Sequence, residues 1–341
     1  MSKERSNPTM ADVAREAGVA LGTVSRVVNG EQVGDEYKEK VLAAIERLGY
    51  QYNVSGRTLR TNRTNTIALI IPKTINPYFA LLVHHINIAL EKRNYKMMLC
   101  FSEYDRGREA EYIQMAQQNR VDGIIALTYN PNLSIPEDIP FVTIDRLFSV
   151  SVPCIAADNF GGGRLAAKKL YDLGCKHVAF LRIGSELTNE PSKRKDGFVS
   201  ACIELKLPFD VLALKDNAPF EEFVSFLKSH TTDGHLDFDG LFVGTDMLAW
   251  QIIRELHRMG IRVPEDVQVI GFDGIRMFGD QDLIVSSIVH PVQELAEACV
   301  STVLSRHLST FPPSSRSLFN MPMAGPPANK KGELLCTTLL L

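Results

Sequence analysis

The apolar pattern of this chain changes period once, near Asn65, and that change limits the folds open to it. Up to Leu48 the apolar residues recur at three- and four-residue spacing, the signature of amphipathic helices. From Thr66 onward they come in short buried-looking runs separated by helical stretches of about 12–16 residues. Strands that alternate with helices imply parallel sheets covered on both faces. The sequence therefore predicts a small all-α unit followed by a much larger α/β body.

In the small unit, Thr9-Met10-Ala11-Asp12 is a helix start, with Thr9 able to cap the free N–H groups of the first turn. Val13, Ala14 and Ala17 follow at helical spacing, and Gly18 stops the helix, since a left-handed residue is cheap only for glycine. A second short helix has Val24, Val27 and Val28 as its stripe and ends at Asn29-Gly30. A third, from about Asp35 to Leu48, has the stripe Tyr37, Val41, Leu42, Ile45 and Leu48 and is closed by Gly49. Helix, tight glycine turn and short second helix is the layout of a helix-turn-helix DNA reader. A plain three-helix bundle with a polar face fits the same periodicity. The outward residues of the second helix are Leu21, Gly22, Thr23, Ser25 and Arg26; Thr and Ser can bond phosphates, and Arg can bond a phosphate or a guanine edge.

Charge placement bears on that choice. The net charge of −3 over 341 residues argues against a nucleic-acid binder, but it is unevenly spread. Residues 1–63 hold ten Lys/Arg against eight Asp/Glu, leaving 27 basic and 32 acidic residues in the rest. Between Tyr50 and Thr66 stand Arg57, Arg60 and Arg63 and no acid, a pattern that suits either a solvated linker or a DNA-facing segment.

The run Met10-Ala-Asp-Val-Ala-Arg-Glu-Ala-Gly-Val-Ala-Leu-Gly-Thr-Val-Ser-Arg-Val-Val-Asn29 resembles the headpiece of the LacI/GalR family of transcriptional regulators. The likeness continues through Val41 to Tyr52 and Asn53, then Arg57-Thr-Leu59. It implies that the second helix enters the major groove and that Thr9, Leu21, Gly22, Thr23, Ser25, Arg26, Asn29, Tyr52, Asn53, Arg57, Leu59 and Arg60 face DNA. Residues from about Asn53 to Thr61 resemble the family's hinge helix, and Leu59 the leucine that wedges into the minor groove. Two departures stand out. Ala20 replaces the usual capping Ser, which weakens the second helix by about 1 kcal/mol. Gly56 replaces the usual Ala, which disfavours the hinge helix by about as much.

In the body, strands are expected at Thr66–Pro72, Met97–Phe101, Gly123–Leu127, Phe141–Ile144, Ile155–Ala157, Val178–Leu181, Val211–Leu214, Gly240–Val243 and Val267–Phe272. Asp122-Gly-Ile-Ile-Ala-Leu127 is echoed by Asp239-Gly-Leu-Phe-Val-Gly244, which suggests two similar lobes. The resemblance implies a periplasmic-binding-protein-like core of two Rossmann-like lobes, crossed near Asp158–Gly163, at His290-Pro291 and by a return strand near residue 320. The expected organisation is a headpiece at 1–50, a hinge segment at 51–64 and an effector-binding, dimerising core at 65–320. Lobe 1 takes about 65–158 and 291–320, lobe 2 about 159–290, and 321–341 is an irregular tail. Leu318-Phe-Asn-Met suits the closing strand, whereas Leu334–Leu341 is unusually apolar for a terminus and shows no heptads for a coiled coil.

Ligands of such folds bind at strand C-terminal ends, between lobes. Asp145, Asp246 and Asp273 each end an expected strand, where a carboxylate can accept sugar hydroxyls or cap the next helix; Asp246, just before a helical run, suits a cap. By resemblance, Asp273 takes sugar hydroxyls, Arg194 does so from the opposite lobe, and Asp145 and Thr245 occupy less regular contact positions. Tyr78 and Phe79 resemble an aromatic pair at the mouth, and Phe79 suits the core equally well. The runs Ser102-Glu-Tyr-Asp105, Glu111–Met115 and Asp158-Asn-Phe-Gly-Gly-Gly163 resemble the sucrose-operon repressor subgroup, implying sucrose, fructose or a fructose phosphate.

Gly161-Gly162-Gly163 lacks either phosphate-loop pattern and reads as a flexible crossing. Six scattered cysteines without Cys-x-x-Cys, and the lack of nucleophile or His-pair motifs, leave no catalytic residue, metal or cofactor to propose. The polar start is no signal peptide and no run is long enough to span a membrane, so a cytoplasmic protein is expected. The expected partners are near-palindromic operator DNA, a sugar or sugar-phosphate effector and a second copy of the chain. A corepressor-dependent catabolite regulator is the alternative, and a sugar-modifying enzyme a remote one.

Overall fold

The computed structural model describes residues 8–28, 30–50, 63–128, 130, 132–146, 152–184, 189–216, 218–276 and 282–305, and the backbone of 333–335 and 339–340. The chain divides into two compact units, residues 1–64 and 65–341.

The first unit holds α1 (Met10–Ala17), α2 (Leu21–Val28) and α3 (Asp35–Leu48). Thr9 and Asp12 form a capping box: Thr9 Oγ1 accepts from Asp12 N, and Asp12 Oδ2 accepts from Thr9 N at 2.9 Å. Gly18 turns the chain at φ 65°, where a side chain would be strained. Val13, Ala14, Val24, Val41, Ala44 and Tyr50 form the buried core. The expected α3 stripe is corrected here. Tyr37 and Leu42 are about half exposed, and Ala44 is buried instead, because the face turned to α1 and α2 runs through Val41, Ala44, Ile45 and Leu48.

The second unit is a pair of six-stranded sheets with flanking helices. Lobe 1 contains β1 (Thr66–Ile71), α4 (Pro77–Glu91), β2 (Lys96–Phe101), α5 (Arg106–Gln118), β3 (Gly123–Ala126), β4 (Phe141–Ile144) and β5 (Cys154–Ala157). Lobe 2 begins with α6 (Asn159–Asp172) and β6 (Val178–Ile183), then a 3-10 turn at Glu190–Ser192 and α7 (Lys193–Leu205). It continues through β7 (Phe209–Leu214), α8 (Glu221–Ser229), the small hairpin β8 (Thr231–Thr232) and β9 (His235–Leu236), and β10 (Gly240–Val243). It ends with α9 (Asp246–Arg258), β11 (Gln268–Asp273) and β12 (Ser287–Val289). Then α10 (Val292–Ser305) returns to lobe 1, where Leu295, Cys299 and Val303 pack with Ile67, Leu82 and Val142.

The strands β1, β3, β4, β6, β10 and β11 are almost wholly apolar because helices cover both faces, leaving no solvent side to alternate with. Their order is β2-β1-β3-β4-β5 in lobe 1 and β7-β6-β10-β11-β12 in lobe 2, all parallel. Every such strand therefore ends on the same edge of its sheet, where polar residues collect.

Two expectations about connections change. The glycines at 161–163 are no loose crossing: they lie in the first turns of α6, capped by Asp158, whose Oδ1 accepts from Gly161 N at 2.7 Å. Nor is the tail wholly irregular. Glu333–Leu335 (β13) pairs in parallel with β12, and Leu339–Leu340 (β14) pairs antiparallel with β5. A short apolar terminal run is suited to this, because each sheet otherwise leaves an edge strand with unpaired backbone groups. The return strand expected near residue 320 lies outside the described residues.

Candidate functional site

Lobe 1 contributes two points to the site. Asn76 caps α4 by accepting from Tyr78 N at 3.0 Å, and Pro77 fits the first helical position, which fixes the Tyr78-Phe79 turn at the end of β1. Both rings are buried and 5.4 Å apart; Phe79 belongs to the lobe's apolar core. At the end of β4, Asp145 adopts φ 56° and is 4% exposed.

Lobe 2 contributes Arg194, Thr245 and Asp273. Arg194 is held from four directions. Its Nε donates to Asn159 Oδ1 at 2.8 Å, and Nη1 donates to the Gly244 carbonyl at 2.6 Å. Its guanidinium lies 3.6 Å from the Phe272 ring centre, and Nη1 stands 3.7 Å from Asp273 Oδ1. Asn159 is itself oriented by donating to Ala157 O at 3.0 Å. Glycine is required for this packing. A Cβ on Gly163 would meet the Arg194 carbonyl oxygen at 2.0 Å, and one on Gly197 would meet the Phe160 carbonyl oxygen at 1.9 Å. The two helices thus touch backbone to backbone beside the arginine.

Asp273 and Arg194 do not face each other across the cleft, as the resemblance had implied. Both belong to lobe 2, where Arg194 stacks on the residue preceding Asp273, and lobe 1 opposes them with Tyr78 and Asp145. Asp246 is also corrected. Thr245 is the cap of α9, accepting from Leu248 N at 3.4 Å, which leaves Asp246 inside the first turn. Asp246 is fully buried; Oδ2 accepts from Ile275 N at 2.7 Å and Oδ1 from Ser287 Oγ at 2.6 Å. Ser287 Oγ in turn accepts from Gly274 N at 3.0 Å. This clamp holds the turn after Asp273, whose own φ is 130°.

His290, at the second crossing, sits between the lobes' aromatic groups, 5.0 Å from the Tyr78 ring and 5.8 Å from that of Phe272. Glu190 N donates to the Asp145 carbonyl at 3.1 Å, joining lobe 2 to lobe 1 through backbone. His290 and Glu190 were not picked out as site residues by motif; the signal for His290 was only its place beside Pro291 at a crossing.

Burial governs the charges. It pushes Asp145 and Asp246 each up to about 6, against the opposing pull of Arg194 on both. It raises Asp273 well above the usual carboxylate range despite the neighbouring guanidinium. Burial and then Arg194 depress His290 to about 3, so its ring is neutral. Tyr78 Oη, Asp145 Oδ1, Glu190 Oε2 and both ring nitrogens of His290 have no hydrogen-bond partner among the described residues. Buried polar atoms left this way are costly, and these gather where the two lobes meet.

In the first unit, α2 presents Leu21, Gly22 and Arg26 to solvent, with Thr23 and Ser25 half-buried. Thr9 Oγ1 also donates to Asp12 Oδ2 at 2.7 Å, so its hydroxyl is engaged in the cap. Asn29, Tyr52, Asn53, Arg57, Leu59 and Arg60 lie outside the described residues.

Residues 9–53 match the bacterial regulatory proteins of the lacI family, and residues 167–323 match a periplasmic binding protein-like domain. The sucrose operon repressor of Pediococcus pentosaceus is 33% identical over 306 residues, covering 88% of this chain and 92% of its own. The chain belongs to the lacI family. It is a DNA-binding transcriptional regulator with a sugar-responsive core. The ribose operon repressor of Halalkalibacterium halodurans is 32% identical, covering 87% of this chain and 88% of its own. A lac repressor dimer, solved bound to operator and the anti-inducer ONPF, shares the fold with a TM-score of 0.73. It is 20% identical, and the match covers 89% of this regulator and 93% of that chain. Among the described residues no helix is long and apolar enough to cross a membrane.

Proposed function

We propose that the regulator is a homodimeric repressor of carbohydrate-utilisation genes, released from a near-palindromic operator when a sugar binds between the lobes. The observation that carries this is the cluster of buried, unpartnered polar atoms between the lobes, set around Arg194 and Asp273. Hydroxyls on a rigid ring can satisfy several such atoms at once, and a planar guanidinium forks two of them. Leu21, Gly22, Thr23, Ser25 and Arg26 read the major groove, while the hinge segment 51–64 with its arginines follows the backbone into the minor groove. It acts in the cytoplasm, by coupled binding equilibria and without a catalytic step.

Effector and operator are linked: a sugar that lowers operator affinity is bound less tightly by the operator complex, by the same factor. The test is fluorescence anisotropy of labelled operator against the purified protein, with sucrose, fructose and ribose added in turn. Release by one of them supports the reading. Tighter binding on addition of sugar gives the corepressed mode instead, and release by Arg194→Ala as readily as by wild type removes the cleft from the mechanism.

A further inference from the structure

The two lobes meet at a pair of acids. The 3-10 turn at Glu190–Ser192 carries lobe 2 onto the end of β4, where Glu190 N donates to the Asp145 carbonyl at 3.1 Å. That bond brings the two side chains close enough for the Glu190 charge to oppose ionisation of Asp145. Each acid keeps a buried oxygen with no hydrogen-bond partner among the described residues, Oδ1 of Asp145 and Oε2 of Glu190. Two ionised carboxylates offer acceptors only, whereas one added proton supplies a donor. Glu190 is compensated within its own turn, since Oε1 accepts from Lys193 Nζ at 2.7 Å.

The groups around Asp145 leave the proton on it. Burial outweighs the pull of Arg194 from α7 and of Arg146, the next residue in the chain. Arg146 is also drawn to Asp216, just past β7. Burial keeps Tyr78 from α4, Cys154 from β5 and Cys299 from α10 in their neutral forms, and Asp273 from β11 is a further acid. Cys154 feels both Asp145 and Glu190, so the pair converges on one buried thiol. Parting the lobes breaks the Glu190–Asp145 bond and returns Asp145 to water, where a carboxyl ionises freely. Two acids sharing a buried site hold on to a proton.

We propose that Asp145 and Glu190 form a proton-linked latch between the lobes: Asp145 takes one proton from solvent as the lobes meet and returns it as they part. Acidity then biases the same lobe arrangement that an effector biases. Asp145 and Glu190 act as positioning residues, and the latch holds whatever ligand the cleft takes, so its failure leaves the proposed function standing.

The test is hydrogen exchange of the full-length protein without ligand, read on the peptide that contains Glu190. It is run at pH 5.5 and pH 7.5, with each rate corrected for the intrinsic pH dependence of exchange. The Glu190 N–H is the protected donor, so its protection reports how often this contact opens. A group whose pKa rises on closure favours closure at low pH. With Asp145 at about 6 in the latch and near 3.8 in water, closure is about fourfold more favoured at pH 5.5 than at pH 7.5. The expected result is about fourfold greater corrected protection at the lower pH. Asp145→Asn is neutral throughout and shows equal protection at both. Glu190→Gln keeps the backbone donor but removes the repulsion, so the factor shrinks. Equal wild-type protection at the two pH values overturns the latch, as does a fourfold difference that persists in Asp145→Asn. If Asp145→Asn does not fold, Glu190→Gln decides, and an undiminished factor there overturns the proposal.

Discussion

Gly163→Ala tests the way the site is held. The added Cβ meets the Arg194 carbonyl oxygen at 2.0 Å, and real contacts of this kind do not fall below 3.0 Å. The helices α6 and α7 must therefore part by about 1 Å, since packed interiors transmit such strain. The obstacle is backbone, so no rotamer change relieves it. Parting the helices takes Arg194 Nε from 2.8 Å to about 3.8 Å from Asn159 Oδ1, which is beyond hydrogen-bonding distance. Overpacking of this sort costs about 1–3 kcal/mol, and replacing a helical glycine by alanine returns up to about 1 kcal/mol. The Arg194–Asn159 bond is made without sugar, so its loss adds about 1.5–3 kcal/mol to the cost in stability, and the melting temperature falls by roughly 5–15 °C. Sugar binding weakens as well, by about tenfold, because the guanidinium leaves the geometry in which it is held. The assay pairs a thermal melt with sugar titration and operator anisotropy. Operator affinity without sugar stays within about threefold of wild type, because the headpiece is untouched. A Gly163→Ala protein with wild-type melting temperature and wild-type sugar affinity refutes the backbone-contact reasoning.

Other substitutions probe separate links. Gly22 and Gly18 make a contrasting pair: Gly22 has open space around a built Cβ, so Gly22→Ala raises headpiece stability by about 0.5–1 kcal/mol, while Gly18→Ala at φ 65° lowers it; opposite shifts in headpiece melting are the check, and equal shifts refute it. Thr9→Ala removes the capping box and lowers headpiece stability by about 1 kcal/mol, measured by the same melt. Arg26→Ala weakens operator binding at least tenfold by anisotropy with no change in sugar affinity, and unchanged operator affinity would remove α2 from the interface. Asp145 gives a pH dependence. Its folded pKa of about 6 lies above the unfolded value near 3.8, so the stability it contributes is greatest below about pH 4 and is lost as pH climbs to about 6. Without ligand, Asp145→Asn is therefore more stable relative to wild type at pH 7 than at pH 4; a constant difference across that range would contradict the assignment.

The strands of the two sheets were legible because parallel strands buried on both faces read as uninterrupted apolar runs, as in Thr66–Ile71 and Gly240–Val243. β12 was not, since Ser287-Ile-Val is too short to show a period and its Ser points to Asp246. The α3 stripe went wrong at Tyr37 and Leu42 because a wide apolar arc does not say which edge of it the neighbouring helices cover. Strand ends announced Asp145 and Asp273, but adjacent Thr245 and Asp246 could exchange roles without any change in local pattern. Only the distant partners Ser287 and Ile275 decide between them. Gly163 looked like local freedom, and its use, like that of Gly197, is a contact between two helices that no local pattern contains.

Asp273 stands at φ 130°, a conformation essentially reserved for glycine, and its carboxylate is paired with Arg194 there. Stability and recognition therefore pull in opposite directions at one codon. Asp273→Gly relaxes a backbone strained by about 1–3 kcal/mol and at the same stroke erases the carboxylate proposed to face the ligand. Selection for a hardier protein alone would drift toward that glycine and yield a regulator that still folds and still holds DNA but is deaf to sugar. The Asp246–Ser287 clamp is what lets the chain keep the less comfortable residue.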